Sequence, residues 1–149
     1  MNNIQKGAIA LSVGGFIGLA TLENYQPVAY KDSGGVLTNG FGNTVNVVPN
    51  KKVSVPDALK QLGDNVSVAE KAVRDCIKQP MTQGQFDAFV QFTFNVGGYA
   101  FCKSTLVKKF NAGDSVGACN ELSRWVYVQD KKIQGLASRR EAERQLCLQ

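Results

Sequence analysis

The 149-residue chain contains no histidine. That absence excludes Ser-His-Asp and Cys-His catalysis, and it excludes zinc sites that are built on imidazole ligands. Chemistry near neutral pH would therefore have to use carboxylates, lysine, tyrosine, hydroxyl groups or cysteine. The residues that remain imply no metal and no cofactor.

The sequence also lacks any C-x-x-C pair, so neither a zinc ribbon nor a dithiol redox site is predicted. Its four cysteines are dispersed, which leaves two alternatives open. They are either buried thiols of a cytosolic protein or two disulfides formed in an oxidising compartment such as the periplasm, with three ways to pair them. The cysteines are Cys76, Cys102, Cys119 and Cys147.

Acidic residues are fewer than basic ones, 12 against 17, which gives a formal net charge of +5. A basic surface attracts polyanions, and nucleic acid, anionic lipid and the bacterial wall all qualify. The plain alternative is a slightly basic soluble protein without such a partner. Because the basic residues form no block longer than a pair, and no recognition motif surrounds them, nucleic acid is not predicted as a partner.

No uncharged run is long enough to be an ordinary spanning helix, which needs about 20 apolar residues. The uncharged run near the N-terminus covers residues 7–22, follows Lys6, and contains four glycines. Three interpretations remain open for it: a cleaved signal peptide, a buried core helix, or a marginal membrane anchor that leaves the bilayer and joins the fold.

Residues 28–48 are rich in glycine, valine, threonine and aromatics, with turn pairs at Ser33-Gly34 and Asn39-Gly40. This pattern predicts a small antiparallel sheet. From residue 55 onward the apolar residues follow a helical period, and we expect Gly63 to interrupt the first helix and Pro80 to end the second. Thr82 and Gln85 form a capping box that predicts a further helix. The inward face of that helix would carry Phe86, Phe89, Val90 and Thr93.

Later helices are predicted over residues 104–112, 114–125 and 136–147, with a short hairpin around Gln129-Asp130. Together the patterns predict an α+β fold that is mainly helical. A small antiparallel β lobe would occupy about residues 28–48 and a larger helical lobe about residues 55–149. Residues 1–22 would form an apolar helix in front of the main domain, residues 23–149.

Two carboxylates are candidates for catalysis. Glu23 follows the apolar run, where desolvation would favour its protonated form, and Asp32 lies in a turn, where solvent and backbone N–H groups would keep it ionised. Cleavage of a glycosidic bond needs one protonated and one ionised carboxyl. The alternatives are a polar helix end for Glu23 and an ordinary turn residue for Asp32.

Residues 23–44 resemble the catalytic signature of the phage T4-type lysozymes, glycoside hydrolase family 24. In that signature a Glu is followed by an Asp nine positions later and by a Thr six positions after the Asp, which is the spacing of Glu23, Asp32 and Thr38. Other segments are also similar to the family, and the resemblance extends over nearly the whole chain after residue 22. These segments are residues 85–97, 104–106, 111–114, 124–125 and 135–141.

The resemblance implies a lysozyme-like fold and hydrolysis of the β-1,4 bond between N-acetylmuramic acid and N-acetylglucosamine in peptidoglycan, with inversion. It implies that Glu23 is the general acid, that Asp32 is the general base or transition-state stabiliser, and that Thr38 helps hold the water. The rival functions are a lytic transglycosylase, a cationic protein that permeabilises membranes without catalysis, and a silent glycan-binding module.

The resemblance also suggests residues outside the signature. Gln85 and Asn95 are candidate cleft residues for sugar, with helix capping and packing as the alternative. Arg139 or Arg140 could pair with Glu23 and tune it as an acid, or lie on a solvated helix face.

Two positions depart from the family pattern. The family usually has a histidine at position 43 and an aliphatic residue at position 39, and this chain has Asn43 and Asn39. In relatives that histidine helps hold the β lobe through an ion pair, for which Asp64 would be the acidic partner. We therefore expect no titrating pair at this place.

Residues 1–22 are similar to the signal-anchor-release segments of some phage endolysins. That similarity implies export to the host periplasm, tethering to the inner membrane, and later release, and the alternative is the host cytoplasm until a holin opens the membrane. Anchoring would withhold Glu23 from Asp32 and Thr38. A monomer acting on peptidoglycan is expected. Separately, we expect the pairings Cys76–Cys102 and Cys119–Cys147, because each joins neighbouring helical stretches.

Overall fold

The structure, a computed structural model, describes residues 9–149, and the first eight residues of the predicted N-terminal segment lie outside the described residues. Over residues 9–149 the chain is mainly helical and has two small antiparallel sheets, which confirms the predicted fold class. It divides into two compact units, one of residues 16–67 and one that combines the chain up to residue 15 with residues 68–149.

Helix α1 (Val13–Glu23) begins later than the sequence predicts, because residues 9–12 have no regular secondary structure. It ends at Glu23 because Asn24 adopts a left-handed conformation (φ 57°) and donates its N–H to the carbonyl of Ala20 at 3.1 Å. Among residues 9–149, none of the helices has the length and apolar character needed to cross a membrane.

Strands β1 (Gln26–Lys31) and β2 (Leu37–Gly40) pair antiparallel and form the predicted sheet. The register shifts by a bulge between Gln26 and Tyr30, and Tyr30 lies opposite Thr38. The connection between the strands, residues 32–36, is therefore a tight turn that presents Asp32 directly after β1.

Helix α2 (Val55–Cys76) is a single helix, so the predicted interruption at Gly63 is wrong. Ser54 caps its start, accepting the N–H of Asp57 at 3.2 Å. Leu62, Val66 and Val73 are buried on one stripe of the helix. Burial of this stripe outweighs the roughly 1 kcal/mol that one glycine costs inside a helix.

The remaining helices belong to the larger unit. They are α3 (Gln83–Val96), α4 (Gly98–Lys103), α5 (Thr105–Asn111), α6 (Ser115–Glu121) and α7 (Gln134–Leu148). The capping box of Thr82 and Gln85 opens α3 as predicted, and the predicted inward face of this helix is buried. Phe89 packs edge to face on Phe110, with ring centroids 5.2 Å apart.

Two details of this unit differ from the sequence prediction. Helix α4 was not expected, because Gly97-Gly98 suggests a break. In fact Gly97, at φ 90°, ends α3 and directly precedes α4. The stretch after Asp114 is helical only to Glu121 and continues as a 3-10 turn over Leu122–Arg124.

The predicted hairpin is present, with β3 (Tyr127–Val128) paired to β4 (Lys131–Lys132) around a turn at Gln129 and Asp130. Both turn residues have positive φ, 46° and 63°, as a two-residue hairpin turn of type I′ requires.

Disulfides join Cys76 to Cys102 and Cys119 to Cys147, which is the pairing expected from the sequence. The first connects the end of α2 to α4, and the second connects α6 to α7. Each closes a loop of nearly thirty residues, with sequence separations of 26 and 28, and so limits the entropy of the unfolded chain.

Candidate active site

Glu23, Asp32 and Thr38 all lie in the unit of residues 16–67. Glu23 is the last residue of α1 and is half-buried. Its carboxyl group lies against the backbone of Gly42: a Cβ built at residue 42 would be 2.7 Å from Glu23 Oε2. Only glycine leaves the position of this Cβ empty, and the Glu23 side chain therefore packs directly against the Gly42 backbone.

Asp32 is fixed by the turn that follows β1. Its Oδ1 accepts the N–H of Gly34 at 2.9 Å and the N–H of Val36 at 2.8 Å, while its own N–H donates to the carbonyl of Val36 at 2.9 Å. Two backbone donors on one carboxylate oxygen set the orientation of the whole group. Both of these bonds use Oδ1, and the second carboxylate oxygen takes part in neither.

Thr38 is buried in β2, with 3% of its surface exposed. Its hydroxyl donates to the carbonyl of Val36 at 3.0 Å. That bond uses the only hydrogen of the hydroxyl, so its oxygen can act toward a further group only as an acceptor. Val36 therefore bonds to both candidate residues, to Asp32 through its N–H and to Thr38 through its carbonyl.

Asn43 takes the place of the family's usual histidine and is buried in a side-chain amide network. Its Nδ2 donates to Asn39 Oδ1 at 3.1 Å and to the carbonyl of Val45 at 2.9 Å, and its Oδ1 accepts from Asn65 Nδ2 at 3.0 Å. Asp64, the expected acidic partner, instead binds Lys60 at 3.0 Å. The network consists of neutral amides and contains no titrating pair.

The two candidate sugar-binding residues lie in the larger unit. Gln85 accepts the N–H of Thr82 through Oε1 at 2.9 Å, so this oxygen serves the capping box. Asn95 is exposed near the end of α3, and its Oδ1 accepts from Arg140 Nη2 at 2.6 Å. Their contact with sugar stays a prediction.

Arg139 and Arg140 lie on α7, and both form ion pairs with Glu143, at 3.3 Å and 3.2 Å. Arg140 is fully buried, and its guanidinium lies 4.9 Å from the centre of the Phe92 ring. Burial raises the pKa of Glu143 to about 7, although both arginines oppose that shift. Burial likewise lowers the pKa of Arg140. The solvated helix face considered for Arg140 is therefore wrong, and a role toward Glu23 stays a prediction.

Sequence reasoning missed Gly42 and Val36. The signal for Gly42 was available, since it is the second glycine of the T-x-G-x-G stretch that begins at Thr38. Val36 carries no such signal, because it acts through its peptide group and its side chain is exposed.

Comparison with known proteins identifies the family of the chain. The family model of the phage lysozymes matches residues 20–143. A SAR-endolysin of Bacteriophage PS119 is 36% identical over 99% of this chain and 91% of its own length. The solved endolysin from Escherichia coli O157:H7 phage FAHEc1 is 34% identical, covers 95% of both chains, and superposes with a TM-score of 0.85.

Two solved structures of the P1 phage endolysin Lyz, one active and one secreted and inactive, are also similar to this chain. Its active form has a TM-score of 0.85 at 27% identity, over 95% of this chain and 86% of that one. Its secreted inactive form has a TM-score of 0.61 at 25% identity, over 93% and 96%. With a family model that matches most of its length, and with relatives this similar over nearly all of it, the chain belongs to the phage lysozyme family and is a lysozyme that acts on peptidoglycan.

Proposed function

We propose that Glu23 is the general acid of an inverting hydrolysis, with Asp32 as the general base and Thr38 as the residue that orients the water. Glu23 donates its proton to the glycosidic oxygen as the bond to the anomeric carbon breaks. Asp32 takes a proton from the water whose oxygen attacks that carbon from the opposite face. Inversion leaves room for this water when the two carboxyl groups are roughly 6.5–9.5 Å apart.

The observation that carries the proposal is the shared attachment of Asp32 and Thr38 to Val36. Oδ1 of Asp32 is occupied by backbone donors, and the hydroxyl hydrogen of Thr38 is given to the Val36 carbonyl. In the proposed arrangement, a water donates one hydrogen to Asp32 Oδ2 and the other to Thr38 Oγ1. Such an arrangement fixes the orientation of the water's lone pair for attack.

The test is digestion of peptidoglycan by the wild type and by Glu23→Gln, with Glu141→Gln as the matched control because Glu141 is exposed. Loss of a positioned general acid lowers the rate by about 10²–10⁴-fold, and the control keeps the wild-type rate. Reducing-end muramic acid should form first as the α-anomer, as detected by proton NMR.

Other outcomes would point to the rival functions. Anhydro-muramic products would indicate a transglycosylase, and a β-anomer would contradict inversion. Undiminished lysis of cells by Glu23→Gln would indicate a permeabilising protein that does not need the acid. Binding of wall fragments without cleavage by the wild type would indicate a silent glycan-binding module.

The proposal extends to the N-terminal segment. Helix α1 has no polar face, and Val13 and Ile17 remain 77% and 60% exposed. Apolar residues on all sides of a helix are typical of a helix that is buried or in lipid. Relatives from phages PS119 and Mu are named SAR-endolysins. The segment is therefore proposed to be tethered first in the host inner membrane, with the enzyme on the periplasmic side, and then to leave it as a soluble monomer.

While the segment is in the membrane, Glu23 would be withheld from Asp32 and Thr38, because it directly follows the segment. Full-length protein in host cells should fractionate with membranes and be inactive, and collapse of the membrane potential should release active enzyme that elutes as a monomer. Deleting residues 2–20 should give soluble protein without activity. An active truncated form would contradict the withheld acid, and full-length protein found in the cytoplasm would contradict the tether.

A further inference from the structure

Helix α1 is weak by its own composition. Three of its 11 residues are glycine, each of which costs about 1 kcal/mol relative to alanine inside a helix. Isolated helices of this length are marginal in water even when they are rich in alanine. Gly15 and Leu19 are its buried residues. The helix that ends in Glu23 therefore needs stabilisation from outside its own sequence.

Such stabilisation is present at its N-terminal end, within the larger unit. Residues 9–12 and the carbonyl of Gly15 are held by polar side chains of α2 and α3, which we call the clamp. The clamp consists of Glu70, Arg74, Gln83, Asp87 and Gln91. Most of its contacts are to backbone atoms. The N–H of Leu11, for example, donates to Glu70 Oε2 at 2.8 Å.

Asp87 and Ser12 form the centre of the clamp. Ser12 donates its N–H to Asp87 Oδ1 at 3.0 Å and its hydroxyl to Asp87 Oδ2, and the same hydroxyl oxygen accepts the N–H of Gly15 at 2.9 Å. Ser12 is thus the N-cap of α1, and Asp87 fixes the position of the cap. The negative charge of Asp87 also lies beside the positive end of the helix dipole.

The close approach of Asp87 explains one of the glycines. A Cβ at Gly15 would be 3.1 Å from Asp87 Oδ2 and 2.8 Å from the end of the Leu11 side chain. A Cβ at Gly14 would meet only Ser12 Oγ, at 3.9 Å, which is an ordinary contact. Two neighbouring glycines therefore differ in whether a side chain would disturb the clamp.

We infer that Asp87, acting through Ser12, is a positioning residue for the proposed acid. It sets the fraction of molecules in which α1 is folded up to Glu23, and so the fraction in which the acid is in place. This inference rests on the proposed role of Glu23. Asp87 itself is 4% exposed and accepts a further hydrogen bond from Gln83 Nε2 at 2.8 Å. Its carboxylate therefore interacts with protein groups rather than with solvent.

The test uses the full-length soluble protein with Ser12→Ala, Ser12→Thr and Asp87→Asn, and with Ser67→Ala as the control, since Ser67 is an exposed helix residue. Losing an N-cap lowers the folding equilibrium constant of a helix about fivefold. For Ser12→Ala and Asp87→Asn we therefore expect kcat on peptidoglycan to fall about two- to fivefold at unchanged KM. Ser12→Thr keeps the hydroxyl and should retain the wild-type kcat.

Hydrogen exchange supplies the second measurement. Amides of residues 15–23 should lose protection in Ser12→Ala and Asp87→Asn, in parallel with kcat, while amides of α5 keep theirs. Faster exchange in α1 with an unchanged kcat would overturn the inference, and so would a change confined to KM. Full activity of Glu23→Gln in the same assay would instead refute the proposed acid and would leave the exchange result for the clamp standing.

A glycine pair keeps the inference falsifiable if Asp87→Asn does not fold. Gly14→Ala and Gly15→Ala raise helix propensity equally. If propensity alone governed α1, both would keep or raise kcat. The clamp predicts that Gly14→Ala keeps or raises kcat and that Gly15→Ala lowers it, and equal behaviour of the two variants would overturn the inference.

Discussion

The position of the Glu23 carboxyl depends on the absence of a side chain at residue 42. Gly42→Ala places a Cβ 2.7 Å from Glu23 Oε2, at a φ of 69°. We expect kcat to fall about 100-fold, because displacing a reacting group by about an ångström can cost that much. Stability should fall by only about 1–2 kcal/mol, the cost of left-handed backbone for alanine. Steady-state kinetics and urea unfolding measure both effects.

Gly113→Ala is the control for that variant. Gly113 also has positive φ, 92°, and a Cβ there meets nothing within 4 Å. It should show a similar loss of stability with an unchanged kcat. Equal loss of activity in the two variants would attribute the effect to backbone strain rather than to contact with the acid.

Asn43 shows how a neutral residue can replace a titrating one. Its Nδ2 donates to two oxygens, of Asn39 and Val45, so Asn43→Asp would put carboxylate oxygen against both. We expect a loss of about 3 kcal/mol in the free energy of unfolding at pH 7. The loss should be smaller at pH 4, where the new carboxyl can be protonated and donate. Urea unfolding at both pH values measures it, with the exposed Asn46→Asp as control.

If Asn43→Asp were equally destabilising at both pH values, the new charge would not be the cause. A packing defect would then explain the loss.

At the scale of elements, α2 shows why local signals mislead. Gly63 suggested a break, yet a Cβ there meets nothing within 4 Å and the helix continues. Gly63→Ala should therefore raise the free energy of unfolding by about 1 kcal/mol. Gly84→Ala is the contrasting variant, because its Cβ would be 2.5 Å from the carbonyl oxygen of Leu146, and it should destabilise. Destabilisation by both would mean that the glycine in α2 has a role not visible in its surroundings.

The elements that the sequence predicts well are those with a local chemical signature. The capping box at Thr82 and the turn at Gln129-Asp130 each place their element within one or two residues. Helix α4 was missed because its beginning is set by the backbone of Gly97 and it has only six residues, too few to show a period. The start of α1 at Val13 was missed because it depends on Asp87, 75 residues away from Ser12.

At the scale of the whole molecule, the candidate site also combines residues with a local sequence signature and contacts that have none. The spacing of Glu23, Asp32 and Thr38 is a local pattern, so the sequence alone predicts these residues as candidates. The groups that hold them act through backbone atoms or across long sequence separations, as Val36 and Asp87 do. A single sequence carries no pattern for such contacts, because the residue type at one end does not specify the partner at the other.

The buried carboxyl of Glu143, which forms ion pairs with Arg139 and Arg140 on α7, makes the free energy of unfolding depend on pH. Burial raises the pKa of Glu143 from 4.5 to about 7, and Arg139 and Arg140 are the charged groups that oppose the shift. Between these two values the folded protein holds a proton that the unfolded chain has lost. The free energy of unfolding should therefore fall as pH rises from about 5 to 7.

Urea unfolding of the wild type and Glu143→Gln at pH 5, 6 and 7 isolates this contribution, because glutamine does not titrate. The stability of the wild type relative to Glu143→Gln should decline across the series, by roughly 1–3 kcal/mol in total. Glu141→Gln, on the same helix but exposed, should leave the pH dependence of the wild type nearly unchanged. A wild-type advantage that grows toward pH 7 would show that the ion pairs with the two arginines outweigh burial, so that Glu143 is charged in the folded enzyme.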